Sequence, residues 1–304
     1  MCHTVCCVSR ASGQEALMDL RLSYTESEDT FPLPAGIRER YGPFGFPETG
    51  GLTRPYISSN LVMGLDGRTS FRELKVDAGG REVSRSKTDR WLMDFLRAHH
   101  DGLLLGASTL REETGPDGKG WDYGINDEEL LQYRRETLKL GPQRIIVLSG
   151  SGNIDFSYRL FASQRVEPWI LTSADGEKKI RANLRQQGRE GEIKIISAGG
   201  SAPLDLAAAA QLLRREHGIR TLLCEGGSNV YGELLKKKLI DEDFRTISLQ
   251  VLGSSTLPGT DRPTAYGSAG YTPETAPWFR LISLHYALPY HIFLRLRYQG
   301  PRKF

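Results

Sequence analysis

The apolar and polar positions divide the chain near residue 50. Before that point no period is sustained, and "FPLPAG" and "YGPFGFPETGG" are turn chemistry. Residues 1–50 are therefore expected to form an irregular N-terminal extension, and 51–304 a single α/β domain. Beyond it, short apolar runs alternate with helical stripes. "PYISSNLVM" (55–63) predicts the first strand, broken by Gly64, Asp66 and Gly67 of "GLDGRTS". "SKTDRWLMDFLRAHH" (86–100) predicts a helix capped by Ser86, with Asp89 in the capping-box position and Trp91, Leu92, Phe95 and Leu96 on one face. "GLLLGAST" (102–109) predicts a buried strand ending at Gly106, and "NDEELLQYRRETLKLG" (126–141) a helix capped by Asn126. "RIIVLS" (144–149), "PWILT" (168–172) and "EIKIIS" (192–197) are further short strands. Asp205 caps the next helix and Gly218 stops it, and "IRTLLCEGG" is another buried strand.

Short apolar runs bounded by glycine and polar residues belong to a parallel sheet covered on both faces. The C-terminus differs. "WFRLISLHYAL" and "YHIFLRLRYQ" stand either side of a proline-centred break, and the second sets Ile292, Leu294 and Leu296 against Phe293, Arg295 and Arg297. Such alternation with a short connection predicts an antiparallel hairpin at the sheet edge. The fold class is thus α/β, a mainly parallel twisted sheet with helices on both faces and an antiparallel C-terminal hairpin.

Composition narrows the function classes. The 304 residues are 39% hydrophobic and 25% charged, with a net charge of +3, too small for a nucleic-acid footprint. Lys236, Lys237 and Lys238 fall where a helix ends and complement its dipole. No apolar run approaches the roughly 18 residues of a membrane span, and the N-terminus lacks a signal-peptide core, so a cytoplasmic protein without a membrane partner is expected. Cys2, His3, Cys6 and Cys7 cluster without any zinc spacing, so no metal is expected, and Cys224 reads as a small buried hydrophobe.

In parallel sheets ligands bind beyond the carboxyl ends of strands. Three stretches carry suitable residues there: "GLDGRTS", "LLLGASTLREETG" and "LLCEGGSNVYG". Gly226 and Gly227 precede a helix, where bare backbone and unpaired N–H groups suit a phosphate; a tight turn capped by Ser228 fits the stretch alone equally well. Thr109 and Ser149 put hydroxyls at two more strand ends, with Arg68, Arg97 and Arg111 nearby in sequence. The three strand ends together favour the phosphate cradle. Asp66, Glu113 and Glu225 also follow strand ends, where a carboxylate binds heterocycle N–H groups, moves a proton or ties down a loop, the last being the reading for Asp66. Neither a GxGxxG fingerprint nor a Walker lysine motif is present.

"RPYISSNLVMGLDGRTS", "LRAHHDGLLLGASTLREE" and "LLCEGGSNVYGELLKKKLIDEDFRTISLQVLG" resemble, in this order, the riboflavin-biosynthesis pyrimidine reductase family, the reductase domain of the bifunctional deaminase–reductase. The resemblance implies a dihydrofolate-reductase-like fold, a homodimer, and NADPH-dependent reduction of a ribosylamino-pyrimidine phosphate to its ribitylamino form. It implies cofactor contacts at Thr109, Ser149, Gly227, Ser228, Asn229, Val230, Tyr231 and Gly232. It places the substrate phosphate at Arg97, with Arg68 as the basic residue after "LDG", and the pyrimidine N–H groups at Glu225, and makes Glu113 the first residue to test for proton delivery. Where the family has a serine before "LDG" this chain has Gly64, and Glu113 replaces an aspartate; a branch of the family is similar in having Glu there before a Gly/Tyr-rich loop. The alternatives are a paralogous reductase of another pterin or pyrimidine heterocycle, and a non-catalytic nucleotide-binding protein. The H-x-E and P-C-x-x-C deaminase signature occurs nowhere, so no deaminase half is expected.

Overall fold

Each short apolar run folds into a strand that feeds two cores at once. In β3 (Gly102–Gly106), Leu103 and Leu105 enter one core and Leu104 the other; in β4 (Gln143–Leu148), Ile145 and Val147 oppose Ile146; in β7 (Thr221–Cys224), Leu223 opposes Leu222 and Cys224. Side chains alternate across a strand, so both faces must be covered. The computed structural model describes residues 20–71, 79–115, 117–200, 204–255 and 261–302. Cys2, His3, Cys6 and Cys7 lie outside them.

Helices α1 (Ala35–Tyr41), α3 (Lys87–His99), α4 (Ala107–Glu112) and α6 (Ala174–Gln186) pack on the first core, and α7 (Leu206–Arg215) and α8 (Ser228–Lys236) on the second. A short α2 (Gly80–Ser84) leads into α3. Two predicted caps form: the Ser86 hydroxyl accepts from the Asp89 N–H, and Asp205 from those of Ala207 and Ala208. The helix expected over 126–141 is shorter and differently capped. Asp127 caps α5 (Glu128–Gln132) by accepting from the Leu130 N–H, while the Asn126 side-chain amide donates to the Gly124 carbonyl, and a π-helical stretch follows over Tyr133–Thr137. There Arg134 turns inward and donates to the carbonyls of Arg97, Ala98 and His100, closing the end of α3.

Strands β2 (Tyr56–Gly64), β5 (Val166–Thr172), β6 (Lys194–Ser197) and β8 (Glu242–Ser248) complete the parallel part of a ten-stranded sheet. The hairpin is β9 (Pro277–Ala287) and β10 (His291–Pro301). With β1 (Arg21–Thr25), the order is β1-β9-β10-β8-β2-β7-β3-β4-β5-β6. Two expectations need correction here. The hairpin is not the edge, since β1 pairs antiparallel with β9; and residues 1–50 are not wholly irregular, since they contain β1 and α1. β1 is exposed along nearly its whole length and carries no buried stripe to reveal it. Ile37, Tyr41, Phe44 and Phe46 are buried in the first core, so this segment belongs to the packed body of the protein. At the seam between β8 and β10, fully buried Arg295 donates its fork to Glu242 and lies over the Phe44 ring.

Candidate active site

β3 and β7 are neighbours, yet the chain leaves them to opposite faces, into α4 on the first core and α8 on the second. A crevice opens where adjacent strands diverge in this way. Here it is a cleft of about 230 Å³ lined by Gly106, Ala107, Ser108, Arg111, Ser149, Ser151, Asn153 and Val230. It adjoins a second hollow of about 190 Å³ that adds Asp155 and Tyr158. Glycine at 106 keeps the entrance open, because a Cβ there would stand 3.0 Å from the Val230 methyl.

The turn between β7 and α8 is backbone laid against backbone. Glu225 N–H donates to the Leu104 carbonyl and Gly106 N–H to the Gly226 carbonyl, at 3.0 and 2.8 Å. Gly226 has φ +88°, the left-handed region that glycine adopts without penalty. Gly227, not Ser228, is the N-cap of α8. Its own N–H goes to Thr109 Oγ1 at 2.8 Å, and its carbonyl accepts from Val230 and Tyr231. The N–H groups of Ser228 and Asn229 remain at the positive end of the helix, where a first turn has no internal acceptors. The Ser228 hydroxyl meets that of Thr69 at 3.3 Å, which brings the "LDG" turn to the same mouth.

Beside this cleft stands a buried charge cluster. Arg97, at the end of α3, donates Nε and Nη2 to the two oxygens of Glu225 at 2.8 and 2.5 Å, and Nη1 to the Gly124 carbonyl at 3.3 Å. Asp94 lies 3.8 Å from Arg97, and its other oxygen accepts from the Asn126 and Asp127 N–H groups. Burial works against the Arg97 charge, but Glu225, Asp94 and Glu113 outweigh it and hold the guanidinium above its ordinary range. Tyr123 donates its phenol to Glu113 Oε2 at 3.1 Å. Burial, then the Glu113 carboxylate, push that phenol well above its usual value, so it stays a donor. Among the described residues no group of three or more His, Cys, Asp or Glu is placed to hold a metal, and no helix is long and apolar enough to cross a membrane.

Residues 55–265 match the RibD C-terminal domain family. The chain belongs to that family. The sequence is 23% identical over 190 residues to the 2,5-diamino-6-ribosylamino-4(3H)-pyrimidinone 5′-phosphate reductase of Archaeoglobus fulgidus, covering 62% of this chain and 78% of that protein. It is 24% identical over 223 residues to the reductase of the same name from Aquifex aeolicus, covering 72% and 86%. Among solved structures, a pyrimidine reductase-like protein of Corynebacterium diphtheriae superposes with TM-score 0.63 at 19% identity, over 88% of this chain and 98% of that one. The deaminase/reductase of Thermotoga maritima gives 0.58 at 15%, over 81% of this chain but only 57% of its own length. The shared fold is dihydrofolate-reductase-like, as the resemblance implied.

Within this RibD-type frame, the positions expected at the site separate into groups. Ser149 and Val230 line the cleft, and Gly227, Ser228 and Asn229 begin the helix at its mouth. Thr109 is buried and faces the turn, holding the Gly227 N–H. Tyr231 points away: it is fully buried and donates to Asp243. Gly232 is a packing position, because a Cβ would stand 2.4 Å from the Tyr266 carbonyl oxygen. Glu225 and Glu113 flank Arg97 as a set. Arg97 itself is spent on Glu225 at 4% exposure, so its fork is not open to a phosphate. Arg68 does not join it; it donates to the Arg262 carbonyl and bridges to Thr264. Asp66 ties down its loop through the Gly253 N–H at 2.6 Å. Sequence reasoning missed Ser108, Ser151 and Asn153, although "LSGSGN" straight after a strand was a usable signal. For Tyr123 the one signal was the Gly/Tyr-rich loop after Glu113, and only the folded loop brings the two side chains together.

Proposed function

We propose that this chain reduces the ribosylamino group of a pyrimidinone 5′-phosphate to the ribitylamino form with NADPH, as a cytoplasmic homodimer. The observation that carries the reading is the switch-point cleft with the Arg97–Glu225 pair alongside. The cleft suits a dinucleotide: Ser108, Ser149, Ser151, Asn153 and the Arg111 cation line it, and glycine at 106 leaves room for close approach. The first-turn N–H groups of α8 would take an anionic oxygen, and Arg111 a phosphate. When bound, the reduced nicotinamide supplies hydride.

The protein's part is placement and proton transfer. Glu225, fixed edge-on by Arg97, keeps lone pairs for pyrimidine N–H groups and sets the ring's orientation. Glu113, whose carboxylate accepts from the Tyr123 phenol, takes the ribosylamino N–H proton as the sugar opens to an imine-like form. It returns that proton to nitrogen as C1′ is reduced, and the ring oxygen takes its own proton from water. The substrate phosphate needs a cation other than Arg97, whose fork is occupied.

NADPH consumption with the ribosylamino-pyrimidine phosphate is the test. Stoichiometric oxidation and a ribitylamino product are expected. Turnover confined to other heterocycles would transfer the reading to a paralogous reductase, and NADPH binding without oxidation would refute catalysis.

A further inference from the structure

The loop from Asp122 to Asp127 is fastened on both flanks of the residue it presents. On one side the Asp122 carboxylate accepts from the Gly124 N–H, the Ser163 hydroxyl and Arg165. On the other, Arg165 donates to the Ile125 carbonyl at 2.6 Å, and Asp94 holds the Asn126 and Asp127 N–H groups. Between these anchors Tyr123 adopts φ +60°, a left-handed conformation unusual for a bulky side chain. The conformation carries the ring inward to 6% exposure, with its hydroxyl on Glu113. The neighbouring Gly124 carbonyl accepts from Arg97, so one loop touches both halves of the charge cluster.

We propose that Tyr123 is a positioning residue for the reaction: its phenol holds the Glu113 carboxylate ionised and oriented, so that Glu113 starts each cycle as the proton acceptor. The proposal rests on the reductase reading above. A donor to a carboxylate favours its charged form. The Arg97 guanidinium from α3 interacts with Glu113 and favours its charged form, and Glu225 after β7 shares that cation. Beside that shared cation the phenol supplies Glu113 with a fixed, directional contact.

The test is a carbon-13 NMR titration of the side-chain carboxyls, with Glu113→Gln identifying the Glu113 resonance. In Tyr123→Phe the Glu113 midpoint is expected to move up by about half a pH unit or more, as the charged form loses its donor. The acid limb of the kcat profile should follow it, with kcat down about tenfold and KM for NADPH unchanged. An unmoved Glu113 midpoint would overturn the proposal, because a merely structural role would leave it in place. The unmodified protein gives a second measurement that needs no variant. The ring carbon bearing the Tyr123 hydroxyl should shift at the pH where Glu113 titrates, and a flat trace there would also overturn it. Absence of turnover in the unmodified enzyme would instead sink the reductase reading, while the carboxyl titration would still decide the contact.

Discussion

The two halves of the site are built from different materials. The cleft beyond β3, β4 and β7 is mostly backbone, glycines and small hydroxyl or amide side chains, with Arg111 the one charged lining residue among the described residues, each within a few residues of its own strand end. The neighbouring cluster consists of charges under cover: Arg97 and Glu225, 128 residues apart, and Tyr123 reaching back to Glu113. Backbone donors are fixed once the sheet forms. Buried charges hold only while every partner is present, because each is costly to leave alone. The cleft should therefore tolerate single changes, and the cluster should not.

The largest expected effect follows from breaking the pair. Arg97→Ala leaves the Glu225 carboxylate, whose side chain is 11% exposed, without its cation. A loss of about 3–5 kcal/mol in stability is expected, read from the urea midpoint, together with activity. Glu225→Gln keeps the shape and removes the charge. It should abolish turnover while leaving NADPH affinity intact, and equal loss of both would place Glu225 on the cofactor side instead.

Acid should separate the halves next. His99 and His100 follow Arg97 closely at the end of α3, both buried, with Nδ1 against the carbonyls of Phe95 and Leu96. Burial pushes them down to about 3 and about 4. Folded values depressed below the ordinary 6.5 mean that the unfolded chain binds protons first. Their contribution is full above pH 6.5 and is lost as pH falls from there towards 3–4. At pH 5 each should cost about 2 kcal/mol. Urea midpoints at pH 7 and 5 check the sum, and hydrogen exchange should show the end of α3 opening before the β7–α8 turn.

The same contrast explains what could be read in the residues beforehand. Strands such as "LLLG" and "TLLC" announce themselves as short continuous apolar runs, and the glycines after them mark the chain's exit, so the sheet and the turn into α8 were legible. Arg97 was placed at the site but given to a phosphate. Nothing in "LRAHH" says that its fork is filled by a glutamate from another strand end. β1 escaped because an exposed strand has no apolar stripe. Gly64 was read as a missing hydroxyl, yet it is a packing position: a Cβ would stand 2.4 Å from Leu252 Cδ1 and 2.8 Å from the Gln250 carbonyl oxygen. Gly64→Ser, which restores the family's residue, should cost about 1–3 kcal/mol by overpacking and gain no turnover. A rise in kcat would reinstate the missing-hydroxyl reading.

The smallest expected effects lie at the cleft and the turn behind it, where one hydroxyl gives support and another lines the cleft. Thr109 gives its oxygen to the Gly227 N–H, so Thr109→Val strands a backbone donor at the turn. Stability should fall by about 1–3 kcal/mol, with weaker NADPH binding as a consequence. Ser149 serves the fold through its backbone instead: its N–H donates to the Leu171 carbonyl and its carbonyl accepts from Thr172 at 2.6 Å. Ser149→Ala should leave the urea midpoint unchanged and raise KM for NADPH by no more than about tenfold, the worth of one neutral hydrogen bond. If Ser149→Ala also lowered stability, the cleft would share the cluster's dependence on intact partners, and the distinction between the two halves would fail on the side where it is most exposed to test.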